Sequence, residues 1–247
     1  MKKIYALLLL IVMLCGCVTS RESTTKVPLH IDDLDSKTVA FVMLDKDGDR
    51  APFCTGVWVS QSVILTAWHC INNRIKFLND TSDSEVPLTT ETVVFEYVVQ
   101  SQAVGHFAEV TGELHQSVFL DSDVKNDIAL VHTVGTTPQH PHAKLADSIV
   151  RGESVHVVGH PIGFYWTYVT GHVSALRGPS WFYQQPALGE IVQISSPIWK
   201  GNSGGGVFND NGELIGILSF ISSEAPNTAF AIHVNEVRRL MLSNKLD

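Results

Sequence analysis

The sequence is short of positive charge. Its 247 residues carry 17 Lys and Arg against 25 Asp and Glu, for a formal net charge of −8, and the basic residues form no cluster suited to a phosphate backbone. A nucleic-acid partner is therefore not expected. Long apolar runs are also missing, since the stretch from Ile4 to Leu14 is too short for a comfortable membrane span. Helical periodicity is scarce: no stretch before residue 234 shows a convincing amphipathic repeat of about 3.6 residues. Acidic loops of the calcium-binding kind are incomplete. Asp45-Lys46-Asp47-Gly48-Asp49-Arg50 has the opening spacing, but Pro52, Phe53 and Cys54 stand where further oxygen ligands are needed.

What is present is an ordinary globular balance, 45% hydrophobic and 17% charged, spread over many short apolar segments. Val39 to Leu44, Val57 to Leu65, Arg74 to Phe77, Glu91 to Val99, Asp127 to Val131, Ser154 to Gly159, Tyr168 to Leu176, Ile191 to Ile194, Glu213 to Phe220 and Ala229 to Ile232 read as strands separated by Gly, Pro and Asn. This pattern indicates a barrel or a sandwich. Only the tail, Asn235 to Leu242, carries a helical spacing through Val237, Leu240 and Met241, with Asn235 as its cap. Thr136 to His142, with its two prolines, reads as the connection between two halves. His132, His140, His142 and His156 do not form a ligand spacing with cysteines or acids, so they are read as surface or structural histidines and no metal is expected.

Three places carry chemistry. Gly201-Asn202-Ser203-Gly204-Gly205-Gly206 sets a hydroxyl among glycines, whose backbone freedom allows a sharp turn with several amides aimed at one point. A serine hydroxyl is a weak nucleophile until a histidine takes its proton, and that histidine needs a carboxylate to fix its tautomer. Thr66-Ala67-Trp68-His69-Cys70 puts His69 where a strand gives way to a turn, and Asn126-Asp127-Ile128-Ala129-Leu130 puts Asp127 at the mouth of another strand.

The order His69, Asp127, Ser203, with these flanking residues, resembles the chymotrypsin-like serine proteases over most of residues 38–240. Ser154 to Gly163 and Tyr168 to Leu176 are similar to the second barrel of the bacterial high-temperature-requirement and glutamyl-endopeptidase groups. The resemblance implies two six-stranded antiparallel β-barrels, residues 38–135 and 143–247, the second closed by a short C-terminal helix. It implies a serine endopeptidase without cofactor, acting on protein or peptide, with Gly201 and Ser203 supplying the oxyanion hole. It also implies a Cys54–Cys70 disulfide and a substrate pocket formed by Pro197, Ile198, Ser219, Phe220, Ile221 and Ala229. That pocket has no acid at its base for a basic side chain, and Leu218 stands where glutamyl endopeptidases carry a histidine, so small or medium aliphatic residues are expected in it. Asn202 replaces the aspartate by which a freshly cut N-terminus activates digestive zymogens, and activity without such clipping is expected.

The alternatives are a binding module that keeps this fold without its chemistry, and an esterase. For the esterase the Gly-x-Ser-x-Gly elbow is present, but the histidine would have to follow the serine, and His233 lacks a fitting acid before it.

At the other end, Met1-Lys2-Lys3 and the apolar run from Ile4 read as an export signal over residues 1–16. Leu14-Cys15-Gly16-Cys17 resembles the lipobox of bacterial lipoproteins, which implies lipidation of Cys17 and a membrane anchor, with an outer-membrane or periplasmic location. Residues 17–37 are expected to be a tether. Export into an oxidising compartment favours pairing of Cys54 with Cys70. The oligomeric state is not legible.

Overall fold

A computed structural model describes residues 29–44, 47, 49–82, 86–99, 113–135, 140–179 and 189–246. The signal segment and the lipidation position Cys17 lie outside the described residues.

Strands β1 (Thr38–Leu44), β2 (Arg50–Trp58), β3 (Val63–Ala67), β4 (Val94–Val99), β5 (Leu114–Asp123) and β6 (Ile128–Thr133) close one antiparallel barrel in the order β1-β2-β3-β6-β5-β4. A second barrel is closed by β7 (Ser154–Gly159), β8 (Thr167–Arg177), β9 (Ile191–Ser195), β10 (Gly206–Phe208), β11 (Leu214–Ile221) and β12 (Thr228–His233), in the order β10-β11-β12-β9-β8-β7. This is the expected architecture.

Strands β1, β3, β6 and β11 are largely apolar on both faces because each face has something to bury against. In β1, Val39 and Phe41 point into their own barrel beside Trp58, Ile64 and Tyr97. The alternate residues Ala40 and Val42 join Val57, Leu65, Val158, Ile217 and Ile232 in a core between the barrels. Continuous runs such as Val39 to Met43 replace the polar alternation of a sheet with one wet face. The second barrel is filled by Val155, Val157, Val192, Ile194 and Ile215.

Among the described residues three α-helices accompany the barrels; two depart from the sequence reading and the third does so only in its cap. The first, α1 (Ile31–Ser36), lies inside the expected tether. Its Leu34 is fully buried in the inter-barrel core, and Thr38 Oγ1 donates to the Leu34 carbonyl at 2.8 Å. A single leucine among polar residues gives no period to read, so the folded part starts earlier than residue 38.

The second, α2 (Trp68–Thr81), contains Arg74 to Phe77, a segment whose sequence pattern reads as a strand. Ile71, Ile75 and Leu78 recur at helical spacing against the first barrel. They are too few to stand out among Asn72, Asn73, Lys76 and Asn79. The third, α3 (Val234–Ser243), is the expected C-terminal helix and buries Val237, Leu240 and Met241. Its cap is His233 rather than Asn235: His233 Nδ1 accepts the Asn235 amide at 3.0 Å, while the Asn235 side chain donates to Glu190.

If α1 is part of the fold, Leu34→Ala leaves a cavity between the barrels and costs about 2–5 kcal/mol in urea unfolding. A loss below about 0.5 kcal/mol would return this segment to the tether.

Candidate active site

Register brings the first two chemical groups together. Strands β3 and β6 pair antiparallel with Ala67 opposite Ile128, so the residues just beyond that pair, Trp68-His69 on one side and Asp127 on the other, must meet. The Trp68 amide donates to the Asp127 carbonyl at 3.1 Å. The His69 amide donates to Asp127 Oδ1 at 2.8 Å, and His69 Nδ1 lies 2.8 Å from Asp127 Oδ2. Asp127 has a φ of 55°, a left-handed conformation that aspartate tolerates better than most residues. In the neutral tautomer whose Nδ1–H donates to this carboxylate, Nε2 is the nitrogen left to accept a proton.

Ser219 completes this arrangement. The β11–β12 register shifts between Leu218 and Phe220, which leaves Ser219 without a cross-strand partner. Such a bulge re-aims a side chain, and the Ser219 hydroxyl donates to Asp127 Oδ2. The aspartate therefore accepts hydrogen bonds from both barrels.

Asn126, buried beside it, ties the same turn to the second barrel: Oδ1 accepts the Gly189 amide at 2.6 Å and Nδ2 donates to Glu236 on α3 at 3.3 Å.

Ser203 arrives from the loop between β9 and β10. Its carbonyl accepts the Thr55 amide at 2.9 Å, and the Thr55 hydroxyl donates to the Gly201 carbonyl at 2.8 Å. The Thr66 hydroxyl donates to the Thr55 carbonyl at 2.8 Å. Thr55 of the first barrel thus holds a loop of the second, and Thr66 braces Thr55.

The loop itself depends on glycine at two positions. Gly201 has a φ of 102°, and a Cβ there would fall 2.3 Å from the His160 carbonyl. Gly204 has a φ of 82°, and a Cβ would fall 2.1 Å from Thr66 Oγ1.

The amides of Asn202, Gly204 and Gly205 are spent on the carbonyls of Trp199, Leu218 and Asn202. Those of Gly201 and Ser203 donate to no acceptor among the described residues. Asn202 is buried, and its Oδ1 has no hydrogen-bond partner among the described residues.

Cys54 and Cys70 form the expected disulfide, with Cα atoms 6.1 Å apart. Their sulfurs lie within 4.8 Å of a His69 ring nitrogen, but a disulfide offers no thiolate to a metal.

Behind the loop, His160 is fully buried and its Nδ1 accepts the Trp166 amide at 3.1 Å. Its other ring nitrogen lies by the Val39 backbone without a well-formed hydrogen bond. Burial pushes its pKa down to about 3, with only partial compensation from Val39.

Two cavities flank Ser203. One of about 260 Å³ is bounded by Ile198, Leu218, Ser219, Phe220 and Ile221. Four of the six expected pocket residues are therefore brought together, along with Trp199 and Lys200, which the sequence reading missed. Pro197 and Ala229 are corrections. Pro197 is exposed outside this cavity, while Ala229 is fully buried in the second barrel. Motif spacing gave their nearness but not the direction of their side chains. The second cavity, about 440 Å³, opens on the other side of Ser203, next to His69 and the disulfide.

Residues 54–217, more than half of the chain, match the trypsin-like peptidase domain. The chain belongs to this family. Among curated relatives, this trypsin-like peptidase is 28% identical over 231 residues to serine protease PepD of Mycobacterium tuberculosis, covering 86% of the chain and 46% of PepD. It is 34% identical over 133 residues to serine protease HtrA-like of Staphylococcus aureus, covering 49% of the chain and 17% of that protein. The chain thus spans less than half the length of either relative.

Among solved structures, the HtrA-type protease AlgW with a tripeptide superposes with a TM-score of 0.62 at 18% identity, over 87% of this chain and 63% of AlgW. The inactive form of the Rv3671c protease superposes with a TM-score of 0.60 at 16% identity, over 86% and 91% of the two chains. These likenesses are of fold.

Thr55, Ser219 and Asn126 are the contributions that sequence reasoning missed as site-builders. Each lies beside a quoted motif residue or in the expected pocket wall, but its role depends on a contact across the barrels.

His160 links this region to acid stability. The unfolded chain takes up the proton near pH 6.5 and the folded chain only near 3, so stability held above pH 6.5 is lost as pH falls, by about 1.4 kcal/mol per unit from this group. Urea midpoints measured from pH 7 to 4 should fall less steeply in His160→Asn than in wild type; equal slopes contradict this.

Proposed function

We propose that the chain is a serine endopeptidase in which Ser203, His69 and Asp127 act together. What carries the reading is one observation: the two amides needed for an oxyanion hole, Gly201 and Ser203, are unengaged among the described residues, while Asn202, Gly204 and Gly205 in the same loop are paired. Among the described residues the Ser203 hydroxyl has no hydrogen bond. Ser203 and His69 line the same cavity, and nucleophile–base contacts are commonly loose before substrate arrives.

In the proposed reaction, Ser203 Oγ attacks the substrate carbonyl carbon while His69 Nε2 takes the hydroxyl proton. The carbonyl oxygen becomes the oxyanion and accepts from the Gly201 and Ser203 amides. The C–N bond then breaks, and the proton passes from His69 to the leaving amine. Water, deprotonated by His69, releases the acyl group and returns the proton to Ser203. Asp127 keeps Nδ1 protonated and stabilises the imidazolium. Loss of one oxyanion donor costs about 10²- to 10³-fold in kcat.

The 260 Å³ cavity would take the side chain on the acyl side of the cut. Apart from Lys200, which also lines the larger cavity, its walls are mainly aliphatic and aromatic, with no carboxylate among the lining residues and with the β-branched Ile221 among them, which favours small or medium aliphatic side chains. Selection by apolar shape is modest, about 10- to 200-fold per methylene. Export and lipid anchoring at Cys17 belong to the same proposal, supported by the Met1 to Cys17 sequence and by a disulfide suited to an oxidising compartment. Because α1 is docked upstream of β1 and Asn202 is neutral, activity should not need a cut before residue 38.

A fluorophosphonate probe should label the uncut chain at Ser203, and Ser203→Ala should lower peptide hydrolysis by about 10⁴-fold or more. No labelling of the folded wild type, or labelling only after clipping near residue 38, would refute the corresponding part of the proposal. Mass spectrometry of a denatured-protein digest should find cuts mainly after Ala, Val or similar residues; a majority after Arg, Lys or Glu removes the pocket assignment.

A further inference from the structure

The larger cavity lies on the His69 side of Ser203. The histidine that protonates the departing amine must stand beside it, so this cavity faces the leaving half of the substrate, and the smaller cavity, which His69 does not line, faces the acyl half. Its floor and walls include Met43, Phe53 and Phe77. Phe77 is 51% exposed, an apolar ring facing solvent at the edge of the cleft.

The same cavity is flanked by two cations in a chain whose net charge is −8: Arg74, and Lys200 on the border it shares with the smaller cavity. Neither forms an ion pair among the described residues. The Arg74 guanidinium is set over the Phe77 ring, 5.8 Å from its centre. Burial lowers the Arg74 pKa, and the nearest carboxylate influence, Glu96, only partly offsets this. A half-buried guanidinium without a close partner favours an incoming anion.

Helix α2 fixes the distances. Arg74 stands five residues beyond His69 on one helix, about 7.5 Å along the axis. An extended peptide covers that span in about two residues.

Resting on the endopeptidase reading, we propose that this site selects the leaving half of the substrate: a large apolar side chain directly after the cut, and a carboxylate on the residue after that, held by Arg74 and Lys200. Two sources supply such a carboxylate, an acidic side chain or the free C-terminus of a short leaving fragment.

The test uses quenched peptides with a constant acyl half, Leu or Ala directly after the cut, and Glu, Gln or Lys next, each ending in a free acid or an amide. Wild type should prefer Glu over Gln in kcat/KM by about five- to tenfold. Arg74→Gln should bring that ratio close to one, and Arg74→Glu should favour Lys. Phe77→Ala should reduce the preference for Leu over Ala by about three- to tenfold.

A preference for Glu in amide peptides assigns the carboxylate to a side chain, and a preference for the free acid in Gln peptides assigns it to the C-terminus. Damage to the fold alone lowers all rates together and leaves the ratios in place. Ratios unchanged by Arg74→Gln, or a wild type indifferent to the charge, overturn this inference while Ser203 labelling persists. Absence of that labelling overturns the endopeptidase reading and this one with it.

Discussion

The Asp127 carboxylate is the point on which the site converges. It accepts the His69 amide and faces the His69 ring, both at 2.8 Å, and it also accepts the Ser219 hydroxyl from the other barrel. An ionised carboxylate with several donors holds its partners more firmly than neutral hydrogen bonds would. The β3–β6 register makes the first contacts unavoidable, and the bulge at Ser219 supplies the last. Imidazole orientation is thus a consequence of strand pairing rather than of a flexible loop.

The second constraint is the seam between the barrels. Its core holds Ala40, Val42, Val57 and Leu65 against Val158, Ile217 and Ile232. Burial of this kind contributes about 25 cal/mol per Å² of apolar area and fixes the two barrels against each other without specifying atoms. The specification comes from polar contacts at the edge of the seam, where Thr55, braced by Thr66, grips the Ser203 loop and Asn126 grips Glu236 and Gly189. The disulfide pins α2 to β2 at the same place, so His69, at the start of α2, lies between the β3–β6 pairing and the Cys70 bridge. Apolar packing thus brings the parts together, and a few buried hydrogen bonds set the geometry.

Much of this was legible in the sequence because it is local. The glycines around Ser203, the strand ends at His69 and Asp127, and the paired cysteines carry their chemistry in residue type and spacing, and the strands announce themselves as apolar runs. What escaped is what depends on partners far along the chain. Leu34 is one apolar residue in a polar stretch, and α2 shows only a thin stripe of Ile71, Ile75 and Leu78. Nothing in the residues around Thr55 or Ser219 says that one will meet Gly201 and the other Asp127. Pro197 and Ala229 show the converse limit: spacing placed them near the cavity, while strand pleat and loop path turned them away from it.

The central claim is that an alcohol from one barrel, an imidazole from the other and two unengaged amides converge on one reacting carbonyl. A crystal structure of the chain after reaction with a peptidyl boronic acid tests it most directly. The account predicts boron bonded to Ser203 Oγ, one boron-bound oxygen within about 3 Å of both the Gly201 and Ser203 amides, and His69 Nε2 in hydrogen-bonding reach. An adduct whose oxygens avoid both amides, or a His69 ring turned away from Ser203 in that complex, would contradict it.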